Sequence, residues 1–252
     1  MPPEIRVIGI EGMPEVQPGD DLAAQLLDAA QRQATAIESG DIIVVTQKIV
    51  SKAEGRVVSI ESVEASPLAV SITEGHRRDP RHTELILRES ARIVRMDRGV
   101  IISETRHGFI CANAGIDASN IPGSDTVCLL PLDSNASAQK IRQAVKDRLD
   151  LDVAVIVSDT FGRPWRNGAT NVAIGVAGID PMLSYVGQED RQGNMMYTTV
   201  ICVADELAAT AELVTGKVDA VPVTIIKGYR YESTETASHW DLIRSPDKDL
   251  FR

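Results

Sequence analysis

With 252 residues, 43% of them hydrophobic, the chain can bury a substantial core without disulfides or a structural metal, as one large domain or two interlocked ones. A net charge of −10 argues against a general nucleic-acid or anionic-membrane binder, which needs a basic surface. It leaves room for a small phosphorylated ligand whose charge a metal ion neutralises locally. Cys111, Cys128 and Cys202 are odd in number and lack CxxC spacing, so they read as small buried residues in a reducing compartment, with Cys111 the minority candidate for a catalytic thiol. The N-terminal stretch has no basic segment followed by a long apolar one, and no run approaches the roughly 18 apolar residues of a membrane span. A cytoplasmic location is the expectation.

In chain order, residues 5–10 form a short apolar strand, followed by a Gly- and Pro-punctuated loop over 9–21. Apolar residues at helical spacing predict a helix over 22–37, and the β-branched run 42–46 predicts a buried strand. QKIVSKAEGR at 47–56 is read as extended or turning, with a further strand over 57–60. The spacing over 62–98 predicts helix, interrupted by EGHRRDPRHTE at 74–84, a mixed-sign cluster that reads as a solvated loop with His76 and His82 on the surface. Strand-like runs at 99–103 and 109–112 precede a loop at 113–126, a strand at 127–130, and a helix over 135–149 with Asn135 or Ser137 as N-cap. The apolar run 153–157 delivers Ser158-Asp159-Thr160 at its end. Small apolar residues at 169–179 suggest a tightly packed strand. A helix from 204 and a strand over 221–226 complete the pattern, with a polar, extended tail from Glu232. The elements mix without a regular βαβ repeat, which gives an α+β class with a mixed sheet and no visible domain boundary.

No GxGxxG or GxxxxGK[ST] signature is present, and VTGKVD at 214–219 lacks the earlier glycine that a phosphate loop needs. Asp159 follows a buried strand, where a carboxylate can reach a ligand crevice, and Thr160 adds a hydroxyl oxygen of the kind hard divalent cations take. Arg163 and Arg166 stand close by and can clamp a phosphate or carboxylate. The competing reading is a structural turn in which Asp159 caps a helix and the arginines pair with surface acids. Asp117 and Asn120 lie in ANAGIDASN, a run of turn formers that is either a plain Asx-turn or a loop approaching a ligand. Two acidic loops after buried strands are together what a two-metal phosphoryl site needs. Lys48 and Lys52 are candidate phosphate contacts, more often surface lysines. His107 is a candidate base near the Asp117 loop, more often structural.

The segments GDIIVVTQKIVSKAEGR at 40–56, RHGFICANAGIDASN at 106–120, SDTFGRPWRNG at 158–168 and VADELAATAELVTGK at 203–217 carry a resemblance over most of the chain. The chain is similar to the coenzyme F420-0:L-glutamate ligase (F420 γ-glutamyl ligase) family, as a single module over 1–252 without the C-terminal flavin-binding domain of some relatives. The resemblance implies a family-specific α+β fold with an intertwined homodimer. It implies a GTP-dependent amide ligase that uses Mg2+ or Mn2+, with room for a monovalent cation such as K+. The substrates implied are GTP, L-glutamate and the phospholactate carboxylate of coenzyme F420-0, with further γ-linked glutamates and an acyl-phosphate intermediate. By motif match, Asp117, Asp159 and Thr160 correspond to metal-ligand positions, Asp117 and Asp159 being the catalytic pair. Asn120 corresponds to a nucleotide contact. Met13, Pro14, Glu15, Val16, Gln47, Lys52, Gly216 and Lys217 correspond to further nucleotide-site positions. Lys217 departs from the family pattern: it stands where other members can carry Gln as a metal-binding residue, and an ammonium cannot ligate a cation. The alternatives are an amide ligase for another carboxylate and a nucleotide- or deazaflavin-binding protein without turnover.

Overall fold

The computed structural model describes residues 2–76, 78–117 and 125–250. The first half of the chain runs β1 (Arg6–Ile10), α1 (Leu22–Arg32), β2 (Ile42–Thr46), α2 (Gln47–Ala53), β3 (Val57–Ser59), α3 (Pro67–Thr73), α4 (Pro80–Glu89), β4 (Ser90–Asp97), β5 (Val100–Thr105) and β6 (Ile110–Ala112). The second half runs β7 (Thr126–Cys128), α5 (Ser134–Leu149), β8 (Ala154–Arg163), β9 (Arg166–Ala177), β10 (Met182–Ser184), β11 (Val200–Cys202), α6 (Val203–Thr215) and β12 (Val223–Lys227). No described helix is long and apolar enough to cross a membrane.

The main body is a mixed five-stranded sheet in the order β1-β12-β2-β8-β9, in which only β2 and β8 are parallel. Alternation along β2 divides the core. Ile43 and Val45 join Leu26 of α1, Val50 of α2 and Ile141 of α5 on one face. Ile42 and Val44 join Ala204, Leu207 and Ala208 of α6 on the other. A strand segment covered on both faces must be apolar throughout, and this is why IIVV and AVIV contain no polar break. Helix α5 lies so close to β9 that a Cβ on Gly175 would come within 2.3 Å of the Ser134 carbonyl oxygen.

The described residues between 57 and 128 form a smaller region with the pair β3-β7 and the antiparallel sheet β4-β5-β6. Its apolar clusters are small, such as Ile86, Ile101 and Ala114, and ion pairs tie it together. Arg56 reaches the Glu89 carboxylate at 2.7 Å and Glu84 accepts from Arg88 at 2.8 Å.

Several sequence expectations are corrected. Helix α1 stops at Arg32, because Ala34 takes a left-handed conformation and Gln33 turns its amide back to the Gly9 carbonyl. Residues 47–53 are helical. The helical stretch over 62–98 with a solvated loop at 74–84 is two helices and a strand, the second helix beginning inside that loop: Pro67 and Pro80 each open a helix behind Ser66 and Asp79 caps. SARIVRMD then pairs with β5 through two register irregularities. The N-cap of α5 is Asp133, which accepts from the Ala136 N–H, while Asn135 turns away to bond Val176 and His239. The tail holds two 3-10 turns, at His239–Leu242 and Pro246–Lys248.

Candidate active site

A cavity of about 660 Å³ lies between the sheet and the smaller region. Strand β2 ends at Thr46 opposite Ser158, so Asp159 is the first residue of β8 beyond its parallel neighbour. A crevice outside the carboxyl ends of adjacent parallel strands is where open α/β sheets bind ligands. The strand does not stop there, as the sequence suggested. It continues in a hairpin with β9 to Arg163. The reading of Asp159 as a helix cap in a turn is therefore excluded.

Between Val157 and Ser158 the β8–β9 register slips by one residue, since Val157 pairs with Gly175 and Ser158 with Ala173. Such a bulge re-aims the side chains that follow. The Ala173 N–H next to it donates to the Asp205 carboxylate of α6 at 2.8 Å, which fixes the bulge from behind. Burial pushes the Asp159 carboxyl up to about 7, against a backbone hydrogen bond at Thr160, and the Asp117 carboxylate pushes it the same way. The Thr160 hydroxyl donates to Asn171 Oδ1 at 2.6 Å and accepts from Lys217. Lys217 arrives through Gly216, which ends α6 at φ +58, a left-handed conformation that favours glycine.

Asp117 forms the facing wall. It exchanges backbone hydrogen bonds with Cys128 at 3.0 and 2.7 Å, and its carboxylate meets Lys48 at 2.8 Å. Met13, Pro14, Glu15 and Val16 close one side of the cavity, and Gln47 and Lys52 of α2 stand beside them. Lys52 is buried and reaches the Glu15 carboxylate at 2.5 Å. The structure thus gathers Asp117, Asp159, Thr160, Met13, Pro14, Glu15, Val16, Gln47, Lys52, Gly216 and Lys217 around one space. Asn120 lies outside the described residues.

Other expectations fail. Arg163 bonds the carbonyls of Asn167 and Gly168 at the exposed hairpin tip, and neither it nor Arg166 lines the cavity. His107 bonds the Leu132 carbonyl and stacks on Phe109, away from the cavity. Cys111 does line the cavity, but burial pushes its thiol up to about 12, the opposite of what a thiolate nucleophile needs. Cys128 is fully buried and Cys202 half-buried. Thr46, Asn171 and Asp205 were not anticipated. Only Asn171 left a signal, as a polar residue inside the apolar run ATNVAIGVAG.

Among the described residues no group of three or more His, Cys, Asp and Glu is placed to hold a metal ion. Two carboxylates and a hydroxyl nonetheless fit Mg2+ or Mn2+, which take hard oxygen donors and commonly use one or two carboxylates together with substrate phosphates. The mutual repulsion of Asp117 and Asp159 is what a bound cation would relieve.

The model of the F420-0:gamma-glutamyl ligase family matches residues 10–228. The chain belongs to this family. Relatives named coenzyme F420:L-glutamate ligase share its full length. The protein of Methanothermobacter thermautotrophicus is 45% identical over 250 residues, covering 98% of this chain and 99% of the relative. That of Methanopyrus kandleri is 39% identical over 256 residues, covering 99% and 98%. That of Methanocaldococcus jannaschii is 38% identical over 250 residues, covering 99% and 97%. For a member of the γ-glutamyl ligase family, the cavity between Asp117 and Asp159 is the candidate active site.

Proposed function

We propose that the protein is a GTP- and divalent-metal-dependent ligase that joins L-glutamate to the phospholactate carboxylate of coenzyme F420-0, and then adds γ-linked glutamate. The observation that carries this reading is the convergence of Asp117, Asp159 and the Thr160 hydroxyl on one cavity rimmed by Lys48, Lys52 and Lys217. A carboxylate does not condense with an amine at neutral pH and must first be activated. Transfer of the γ-phosphoryl group of GTP to the acceptor carboxylate gives an acyl phosphate and GDP. The glutamate amine then attacks the acyl carbon, the C–O bond to phosphate breaks, and inorganic phosphate leaves. No protein nucleophile is needed, and catalysis is placement and charge neutralisation.

The chain's own groups suit those tasks. Asp117, Asp159 and Thr160 would hold Mg2+ or Mn2+, which supplies charge neutralisation at the transferring phosphoryl group. Lys52 is a buried ammonium on a helix, and Lys217 an ammonium anchored on the Thr160 hydroxyl, so both present point charges to a polyphosphate. The Met13–Val16 loop shields one side from water. The protein acts as a homodimer in this reading, which the exposed apolar side chains of Val186, Met195, Tyr197 and Val200 around β10 and β11 support.

Incubation with GTP, Mn2+, L-glutamate and coenzyme F420-0 should yield GDP and a product heavier by one glutamate residue. No mass shift and no GDP would overturn the proposal. GDP released only with other carboxylic acids would move it to a different acceptor. The hydrogen bond from Lys217 to Thr160 favours one competing reading, nucleotide binding without turnover. That reading predicts no GTP consumption at any metal concentration.

A further inference from the structure

A second cavity, of about 240 Å³, opens in the smaller region between the α3–α4 connection and the β4–β5 turn, and it shares no lining residue with the candidate active site. Its apolar back is Ile101, part of the cluster with Ile86 and Ala114. Its polar lining is Thr73, whose hydroxyl is taken up by the Ala69 and Val70 carbonyls, with His76, Arg78, Thr83, Asp97 and Arg98. Thr83 is fully buried and its Oγ1 has no hydrogen-bond partner, and the Nη1 of Arg78 is likewise buried without one. Buried polar atoms are almost always paired, because an orphaned donor forfeits its hydration and gains nothing in return. The two orphans belong to residues that line one cavity, both can donate a hydrogen bond, and one of them is cationic.

The neighbouring acids do not serve them. Asp79 is taken up by Arg81, at 2.7 Å, and by capping α4. Asp97 is largely exposed and lies 3.6 Å from Arg95 and 3.9 Å from Arg98. Along the lining, two arginines face one carboxylate, a cationic spot on an acidic protein. A cation would be repelled there, and a neutral ligand would leave the Arg78 charge uncompensated. A group with several acceptor oxygens and a negative charge answers both orphans at once.

We infer that this cavity binds a small oxyanion, a phosphate or carboxylate group, between Arg78 Nη1 and Thr83 Oγ1, with the exposed His76 and Arg98 at its solvent side. The inference is independent of the ligase reading, since it uses none of the residues of the larger cavity. Its test is thermal unfolding of the full chain, free of nucleotide and metal, in potassium phosphate, potassium glutamate and potassium chloride at matched ionic strength. The wild type should show a saturable rise in Tm in phosphate or glutamate beyond that in chloride. The anion with the lower half-saturating concentration identifies the source, free phosphate or an amino-acid carboxylate. Arg78→Gln should have a higher Tm without anion, because it removes an unpaired buried charge, and should lose the anion response. Thr83→Val, nearly isosteric, should raise the half-saturating concentration about tenfold, the effect of one lost hydrogen bond. Arg163→Gln, at the exposed hairpin tip and outside both cavities, should respond as the wild type does. A wild-type response no greater than that in chloride, or Arg78→Gln responding as the wild type, would overturn the inference. Should Arg78→Gln not fold, an unchanged half-saturation in Thr83→Val does the same.

Discussion

The two walls of the candidate active site are built by different physics. The Asp159 wall belongs to the five-stranded sheet, where Val155, Ile156 and Val157 are fully buried and β9 pairs along nearly the whole of β8. The Asp117 wall belongs to the described residues between 57 and 128, where thin apolar clusters are supplemented by ion pairs and helix caps. Packing fixes a strand to a fraction of an ångström, whereas charged contacts near solvent fix less and depend on pH and salt. The contrast places Asp159 and Thr160 on a rigid wall of the sheet and Asp117 on an adjustable wall of the smaller region. In the proposed function the site admits a nucleotide, an amino acid and a large acceptor in turn, and one wall of each kind would serve that.

The sharpest way to break this comparison is at the rigid wall. Asp159→Asn should lower ligase turnover by about 10²–10³-fold, the usual cost of removing one preorganised charged group. Its Tm at pH 8 should be equal to or above that of the wild type, because burial already disfavours the carboxylate. Near-normal turnover would remove Asp159 from the chemistry. The next largest effect lies behind that wall. Gly175→Ala would drive a methyl group into the Ser134 carbonyl and should cost about 3 kcal/mol in denaturant unfolding. A loss below about 0.5 kcal/mol would mean that α5 can slide on β9, and the wall would not be rigid in the sense argued here.

The same division governs what the sequence could reveal. The sheet strands were legible because burial on both faces leaves an unbroken β-branched run, and Asp159 was legible as the first acid after one. Asp117 stood out through the turn formers around it. Helix α2 was missed because its seven residues, QKIVSKA, are too few to display a period, and only the tertiary contacts of Ile49 and Val50 decide their conformation. Strand β4 was taken for helix because most of SARIVRMD is exposed, so little apolar alternation is imposed on it. Arg163 and His107 were misplaced for a different reason. Nearness along the chain put them beside the acids, whereas the β8–β9 hairpin carries Arg163 outward and the contact with Leu132 turns His107 aside. Lys217, by contrast, is 57 residues from Thr160 and reaches it only because α6 runs back along the sheet.

That closure gives the third test. Lys217→Gln replaces the ammonium on Thr160 by a neutral donor and should weaken nucleotide binding about tenfold, or about 1.4 kcal/mol, with unfolding unchanged. Calorimetric titration with GDP and Mn2+ checks it, and tighter binding would show that the lysine competes with the metal.

The smallest effect tests the adjustable wall. Hydrogen bonds, first from Ser66 and then from Arg88, hold the Glu84 carboxyl down at about 2, against an ordinary 4.5. A depressed carboxylate stabilises the fold fully above its unfolded value and loses that contribution as the pH falls through its folded one. Glu84→Gln should therefore cost about 1 kcal/mol at pH 7, and the gap to wild type should close between pH 4.5 and about 2. The gap should also shrink in high salt, since Arg88 is half-exposed. Gly175→Ala, read in the same titration, should show a gap independent of both pH and salt. If the two variants behaved alike, packing and charge would not be dividing the two walls between them.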